Sequence, residues 1–218
     1  QRALRQPLHL ITNKTIFIMA TTAVKKTASA TDQDAYTKSE NKQYRNSEEE
    51  QEQQGNALLD KMFLNMLKDI YWAEQHLIPH LEEMQKNATT EELQDAIEDH
   101  ILQTQKHVSR LEKVFKSLGK EASGKKCDAM EGLTKEATSM MNETKEGTMT
   151  RDAALIIAAQ KVEHYEIATY GSLVQIARTL GKNKEADILE QTLWEEEDTD
   201  KTLTEIAETY VNPMADEE

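Results

Sequence analysis

Cysteine, proline and glycine are scarce in this chain, with one, three and seven copies among 218 residues. The lone Cys127 excludes an internal disulfide and a cysteine-ligated metal site, and fits a reducing compartment such as the cytoplasm. So few turn formers exclude a sheet of many short strands. Ala, Leu, Glu, Lys and Gln dominate instead, the composition of long helices, so the expected class is all-α. No apolar run approaches the ~20 residues of a membrane span, the nearest being residues 16–20. A net basic balance is also missing. The formal charge of −14 argues against a nucleic-acid partner, which needs a cationic face.

The first 31 residues hold no acid but do hold Arg2, Arg5, Lys14, Lys25 and Lys26, which superficially resembles a targeting leader with too short an apolar stretch for secretion. Met19, followed by Ala-Thr-Thr-Ala, is a plausible start. Residues 21–54 are polar and carry the run Glu48 to Glu50, so residues 1–54 are expected to form an unstructured tail. Residues 55–212 are expected to form one helical domain, and residues 213–218 a frayed acidic end.

Four long amphipathic helices are expected: 58–86, 91–118, 151–180 and 187–210. Pro79 should kink the first, Thr90 should cap the second, and Gly119 and Gly181 should end the second and third. Residues 120–149 are long enough to cross the bundle and contain a short helix with Met130, Leu133, Ala137 and Met140 on one side. Each long seam is polar only at its centre. The first reads Phe63, Leu67, Ile70, Glu74, Leu77, Leu81; the second carries His100, Thr104 and His107; the third carries Glu166, with Glu163 one turn earlier; the fourth reads Leu189, Leu193, Glu196, Asp200, Leu203, Ala207, Tyr210. Folding the first pair about residue 88 sets Glu74 opposite residue 102, and folding the second about residue 182 sets Glu166 opposite residue 198. All four centres then share one layer.

Glu74, Glu166, Glu196 and Asp200 cannot all stay ionised in a low-dielectric core, but two divalent cations would neutralise their four charges. With His100 and His107 the donor set suits iron, manganese or zinc. Glu163 is open between ligand and outer acid. Thr104 and Thr169 are expected to hydrogen-bond to the ligands, His164 to point at a neighbouring helix or subunit, and Glu195 and Glu197 to face solvent. Tyr165 and Tyr170 are expected to pack, each with a phenol close enough to serve the site.

Three blocks, Lys-Cys-Asp-Ala-Met-Glu-Gly-Leu (126–133), Arg-Asp-Ala-Ala-Leu-Ile (151–156) and Gln-Lys-Val-Glu-His-Tyr-Glu-Ile-Ala-Thr-Tyr-Gly (160–171), resemble the YciF-type branch of the ferritin-like superfamily. The resemblance covers residues 58–208. It implies an antiparallel four-helix bundle with a long helix-containing crossover between helices 2 and 3, a homodimer, a bacterial stress role and a rubrerythrin-like di-metal centre. Ferritin-like centres take one Glu from each of two helices and Glu-x-x-His from each of the other two. Glu74 matches the first single Glu, and Glu163 or Glu166 the second. The sequence departs from that pattern at Thr104-x-x-His107, at Gln103, where an acid is common, and at Glu196-x-x-x-Asp200, which lacks a histidine. Two functions are therefore expected to compete: oxidation of Fe(II) by O2 or peroxide at a two-metal site, and a non-catalytic dimeric interaction protein with a vestigial or structural metal site.

Overall fold

The computed structural model describes the backbone of residues 30–218 and the side chains of residues 56–218. The helices are α1 (Ala30–Asn87), α2 (Glu91–Ser117), α3 (Asp128–Glu143), α4 (Met149–Thr179), α5 (Asn183–Ile206) and α6 (Asn212–Asp216), with a π-helical turn at Ala207–Val211. The described residues contain no strand. The chain divides into Gln1–Glu50 and Gln51–Glu218, and the second unit carries the core and the candidate site.

Two expectations about the ends change. α1 begins at Ala30, so residues 30–54 are helical backbone where a tail was expected. The Gln, Glu and Lys of this segment have good intrinsic helix propensity. The expected leader, residues 1–29, lies outside the described residues. The acidic end is also not frayed. Residues 212–216 are helical, and the Glu218 carboxylate accepts from the backbone N–H groups of Met149 (2.7 Å) and Thr150 (3.2 Å). These N–H groups lie at the start of α4, where no carbonyl partner is available within the helix and an anion is favoured.

The punctuation matches. Thr90 Oγ1 accepts from the N–H of Leu93, and Gly119 and Gly181 follow α2 and α4 with φ of 66° and 71°. α1 runs unbroken through Pro79. In α3 the buried stripe is Met130, Thr134, Ala137 and Met141, one residue round from the expected side, with Leu133 and Met140 only partly covered. Cys127 caps α3, its Sγ accepting from the N–H of Met130 at 3.3 Å. The core is continuous from Phe63, Leu67 and Ile70 of α1 through Leu93 and Phe115 of α2 to Leu155 and Leu173 of α4.

The Arg-Asp pair at the start of α4 has a structural reason. Asp152 is fully buried, and its two oxygens accept from the N–H groups of Thr89 (2.7 Å) and Thr90 (2.8 Å), pinning the α1–α2 connection to α4. Beside it the Arg151 guanidinium reaches Thr144 Oγ1 (3.0 Å) and Asn87 Oδ1 (3.2 Å), tying in the end of the crossover. Asp152→Ala is expected to cost ~3 kcal/mol in urea unfolding, because it strands the buried N–H of Thr90 and the part-buried N–H of Thr89. A cost no greater than that of an exposed control such as Asp187→Ala would contradict this role.

Candidate metal centre

α1, α2, α4 and α5 each place an ionisable group in the bundle centre. Glu74, His107, Glu163, Glu166 and Glu196 are fully buried, and His100 is 3% exposed. The apolar turns on either side of each, such as Ile70 and Leu77 around Glu74, fix these backbones in the core and carry the acids in with them. The six residues form two groups, His100 with Glu163, Glu166 and Glu196, and Glu74 with His107 and Glu196. Within each group one donor atom per residue lies within 4.8 Å of all the others. Glu196 belongs to both, as a ligand bridging two ions would.

The donors face one another without satisfying one another. His100 Nε2 lies 3.1 Å from Glu163 Oε1, and His107 Nδ1 lies 3.0 Å from Glu196 Oε1 and 3.5 Å from Glu74 Oε2. None of these contacts has hydrogen-bond alignment. All ten buried side-chain N and O atoms without a hydrogen-bond partner among the described residues belong to these six residues. Buried polar groups elsewhere in proteins are almost always paired, so ten orphans on six residues, each with one donor atom converging on the others of its group, have the form of a ligand shell.

Burial raises Glu166 well above the usual carboxylate range, and the charges of Glu74, Glu196 and Glu163 push it further. Burial also raises Glu196, to about 7, even though His107 pulls the other way. Burial opposes charge on the histidines, yet the adjacent carboxylates win. Glu163 and Glu196 hold His100 at about 9, and Glu74 and Glu196 hold His107 at about 11. Without metal, protons must supply the positive charge.

One orienting partner runs against the sequence expectation. Glu195, expected on a solvated face, accepts from both Arg110 terminal nitrogens (2.6 and 2.7 Å) and lies 2.9 Å from His107 Nε2. Hydrogen bonding from Arg110 holds it down at about 2. An ionised carboxylate only accepts, so His107 must donate from Nε2, which leaves Nδ1 to face Glu74 and Glu196 as a lone pair once that nitrogen is deprotonated. The signal was present in the sequence, since Arg110 follows His107 by three residues and so shares its helix face. Glu195→Ala is expected to weaken binding at the Glu74/His107/Glu196 position about 10- to 100-fold and spare the other position. A Co(II) titration showing equal loss at both positions, or none, would refute this.

Tyr170 is also more than packing, because its buried hydroxyl donates to Glu74 Oε1. Tyr165 instead donates to Asp69 Oδ2 (3.0 Å) and meets Cys127 Sγ (3.1 Å). Thr104 Oγ1 donates to the backbone carbonyl of His100 one turn back, so it touches the main chain of a candidate ligand and not its imidazole, while Thr169 donates to the carbonyl of Tyr165.

Asp200 leaves the expected set. Its side chain is 21% exposed, accepts from Gln160 Nε2 at 3.2 Å and pairs with His164 Nε2 at 3.3 Å. Residues 196 and 203 lie nearly in line on a helix, and residue 200 sits off that line toward α4. A step of four residues is therefore too coarse to tell centre from shoulder. His164, which is 70% exposed, points to a neighbouring helix as expected.

The comparisons agree with this architecture. A family model described as a domain of unknown function, DUF892, matches residues 58–216. Protein YciF of Escherichia coli strain K12 is 40% identical over 159 residues, covering 72% of this chain and 95% of the relative. The crystal structure of the E. coli stress protein YciF superposes with a TM-score of 0.67 at 41% identity, covering 71% of this chain and 97% of that one. YcfI of Rhodopseudomonas palustris gives 0.66 at 39% identity, over 67% and 92% of the two chains. The chain therefore belongs to the DUF892 family, with the helical fold of the YciF proteins.

Proposed function

We propose that this protein binds two divalent metal ions in its core and oxidises Fe(II), with O2 or a peroxide as electron acceptor. The observation that carries this reading is the set of ten orphaned buried donor atoms in two groups sharing Glu196. Four carboxylates match the charge of two divalent ions, and imidazole with carboxylate suits iron, manganese or zinc. Bound there, two adjacent ions would supply open positions for the oxidant and a route for electrons.

The chain's own residues do the rest. Full burial of Glu74, Glu163, Glu166 and Glu196 excludes bulk water and strengthens each electrostatic contact. Glu195 and Arg110 fix the His107 ring, and Tyr170 fixes one oxygen of Glu74, leaving Oε2 for a metal. The raised affinities of Glu166 and Glu196 for protons make these two the carboxylates that exchange a proton for a metal ion. The E. coli relative is a stress protein, which is consistent with removal of Fe(II) or peroxide.

Elemental analysis of chelator-free protein, followed by anaerobic Fe(II) addition and then air, tests the reading. About two irons per chain and an absorbing ferric species are expected. Protein that takes up no iron and leaves Fe(II) oxidation at its background rate would make it an interaction module instead.

A further inference from the structure

We propose a second, peripheral metal site at His76 and His80 on the outer face of α1, suited to a borderline divalent cation such as Cu2+ or Zn2+. The two histidines are one turn apart, the spacing at which a helix presents two imidazoles to one ion. Their ring centroids are 4.8 Å apart and their planes tilted by 60°, and both side chains are half-buried, open to solvent on one side.

The His76 ring is already held in place. It stacks on Trp72 with centroids 4.4 Å apart and 16° between planes. Trp72 in turn lies under the crossover, so close to Gly124 that a Cβ there would stand 3.0 Å from Trp72 Cβ. A second contact holds the other edge of the His76 ring, whose Nε2 lies 3.3 Å from Thr134 Oγ1, a hydroxyl that also reaches the carbonyl oxygens of Met130 (3.0 Å) and Glu131 (3.2 Å). With the Thr134 proton on a carbonyl, Nε2 donates to Oγ1 and Nδ1 keeps a lone pair for a metal. A ring fixed in this way beside a second imidazole resembles a metal-ligating histidine with its outer hydrogen bond in place. Water would complete the coordination. Two imidazoles with no adjacent thiolate favour Cu2+ over Zn2+ and both over Mg2+.

Trp72 makes the site observable, because Cu2+ quenches an indole stacked on its ligand. The protein for the test carries Trp194→Phe, so that Trp72 alone emits, and Glu196→Ala, so that the core does not compete. Titration with Cu2+ alone should give saturable quenching at one ion per chain, reversed by excess Zn2+. Adding His80→Ala or His76→Gln should weaken the Cu2+ affinity by about tenfold or more. Thermal unfolding of each variant shows that the helix is intact. Quenching that does not saturate, or that is equally tight after His80→Ala in folded protein, overturns the proposal. Because Glu196→Ala is present throughout, the outcome does not depend on the function assigned to the core.

Discussion

Glu196→Ala is expected to abolish two-metal binding and lower the rate of Fe(II) oxidation by about 100-fold or more, a larger loss than any other single substitution in the core. Glu196 is the one residue that belongs to both donor groups, and both of its oxygens lack a hydrogen-bond partner among the described residues. Removing it would therefore take a donor from both candidate metal positions at once. Glu166→Ala strips only the His100 group and should leave about one ion per chain. Asp200→Ala, aimed at the acid that the fold turns outward, should leave metal content and rate near those of the parent protein. The same series separates function from folding. In the metal-free protein Glu196 carries a burial cost and repulsion from Glu163 and Glu74, offset by attraction to His107, so urea unfolding of each metal-free variant is the control that separates lost binding from lost folding. Two irons per chain in Glu196→Ala, or Asp200→Ala behaving like Glu196→Ala, would dismiss the two-group arrangement.

The centre was legible in the sequence because burial and ionisation conflict there. Glu74 and Glu166 interrupt otherwise apolar seams, and folding each helix pair about its connection set them at nearly the depth where they lie. What periodicity could not resolve was azimuth and partner choice. Asp200 and Glu196 are one turn apart on the same nominal stripe, yet one is 21% exposed and the other fully buried. Glu195 looked solvated from its charged neighbours, but a half-exposed carboxylate can still reach a buried imidazole when an arginine one turn along α2 draws it in. The end of α5 departs from the expected stripe for a different reason. The π turn at Ala207–Val211 adds residues to that turn and rotates the stripe, so Val211 is buried and Tyr210, expected on the seam, is 40% exposed. No composition signal marks that shift.

Metal-free protein should lose stability as pH rises from about 6.5 to 9, and metal should abolish or reverse that loss. Glu166, Glu196, His100 and His107 all hold protons in the folded state above the pH at which the unfolded chain releases them. A raised folded value contributes stability that is complete below the unfolded value and is lost as pH climbs through the folded one. For Glu196 that window runs from 4.5 to about 7, and for His100 from 6.5 to about 9. His107 extends it to about 11. Glu195 has the opposite sign, with a window between about 2 and 4.5, and does not contribute here. Each excess bound proton gives a slope of about 1.4 kcal/mol per pH unit before screening and relaxation reduce it. Two divalent ions replace those protons, so their binding should release protons at pH 7 and tighten as pH rises. Free metal at about 1,000 times its dissociation constant adds ~4 kcal/mol per site. For a domain of this size, ~4 kcal/mol corresponds to a rise in Tm of roughly 8–16 °C. Melting curves of metal-free and Co(II)-loaded protein between pH 6.5 and 9, with calorimetry in two buffers of different ionisation enthalpy, read both quantities. A metal-free Tm that is flat or rising across that interval, or binding without proton release, would mean that the core carboxylates and imidazoles do not share protons as their burial and spacing require.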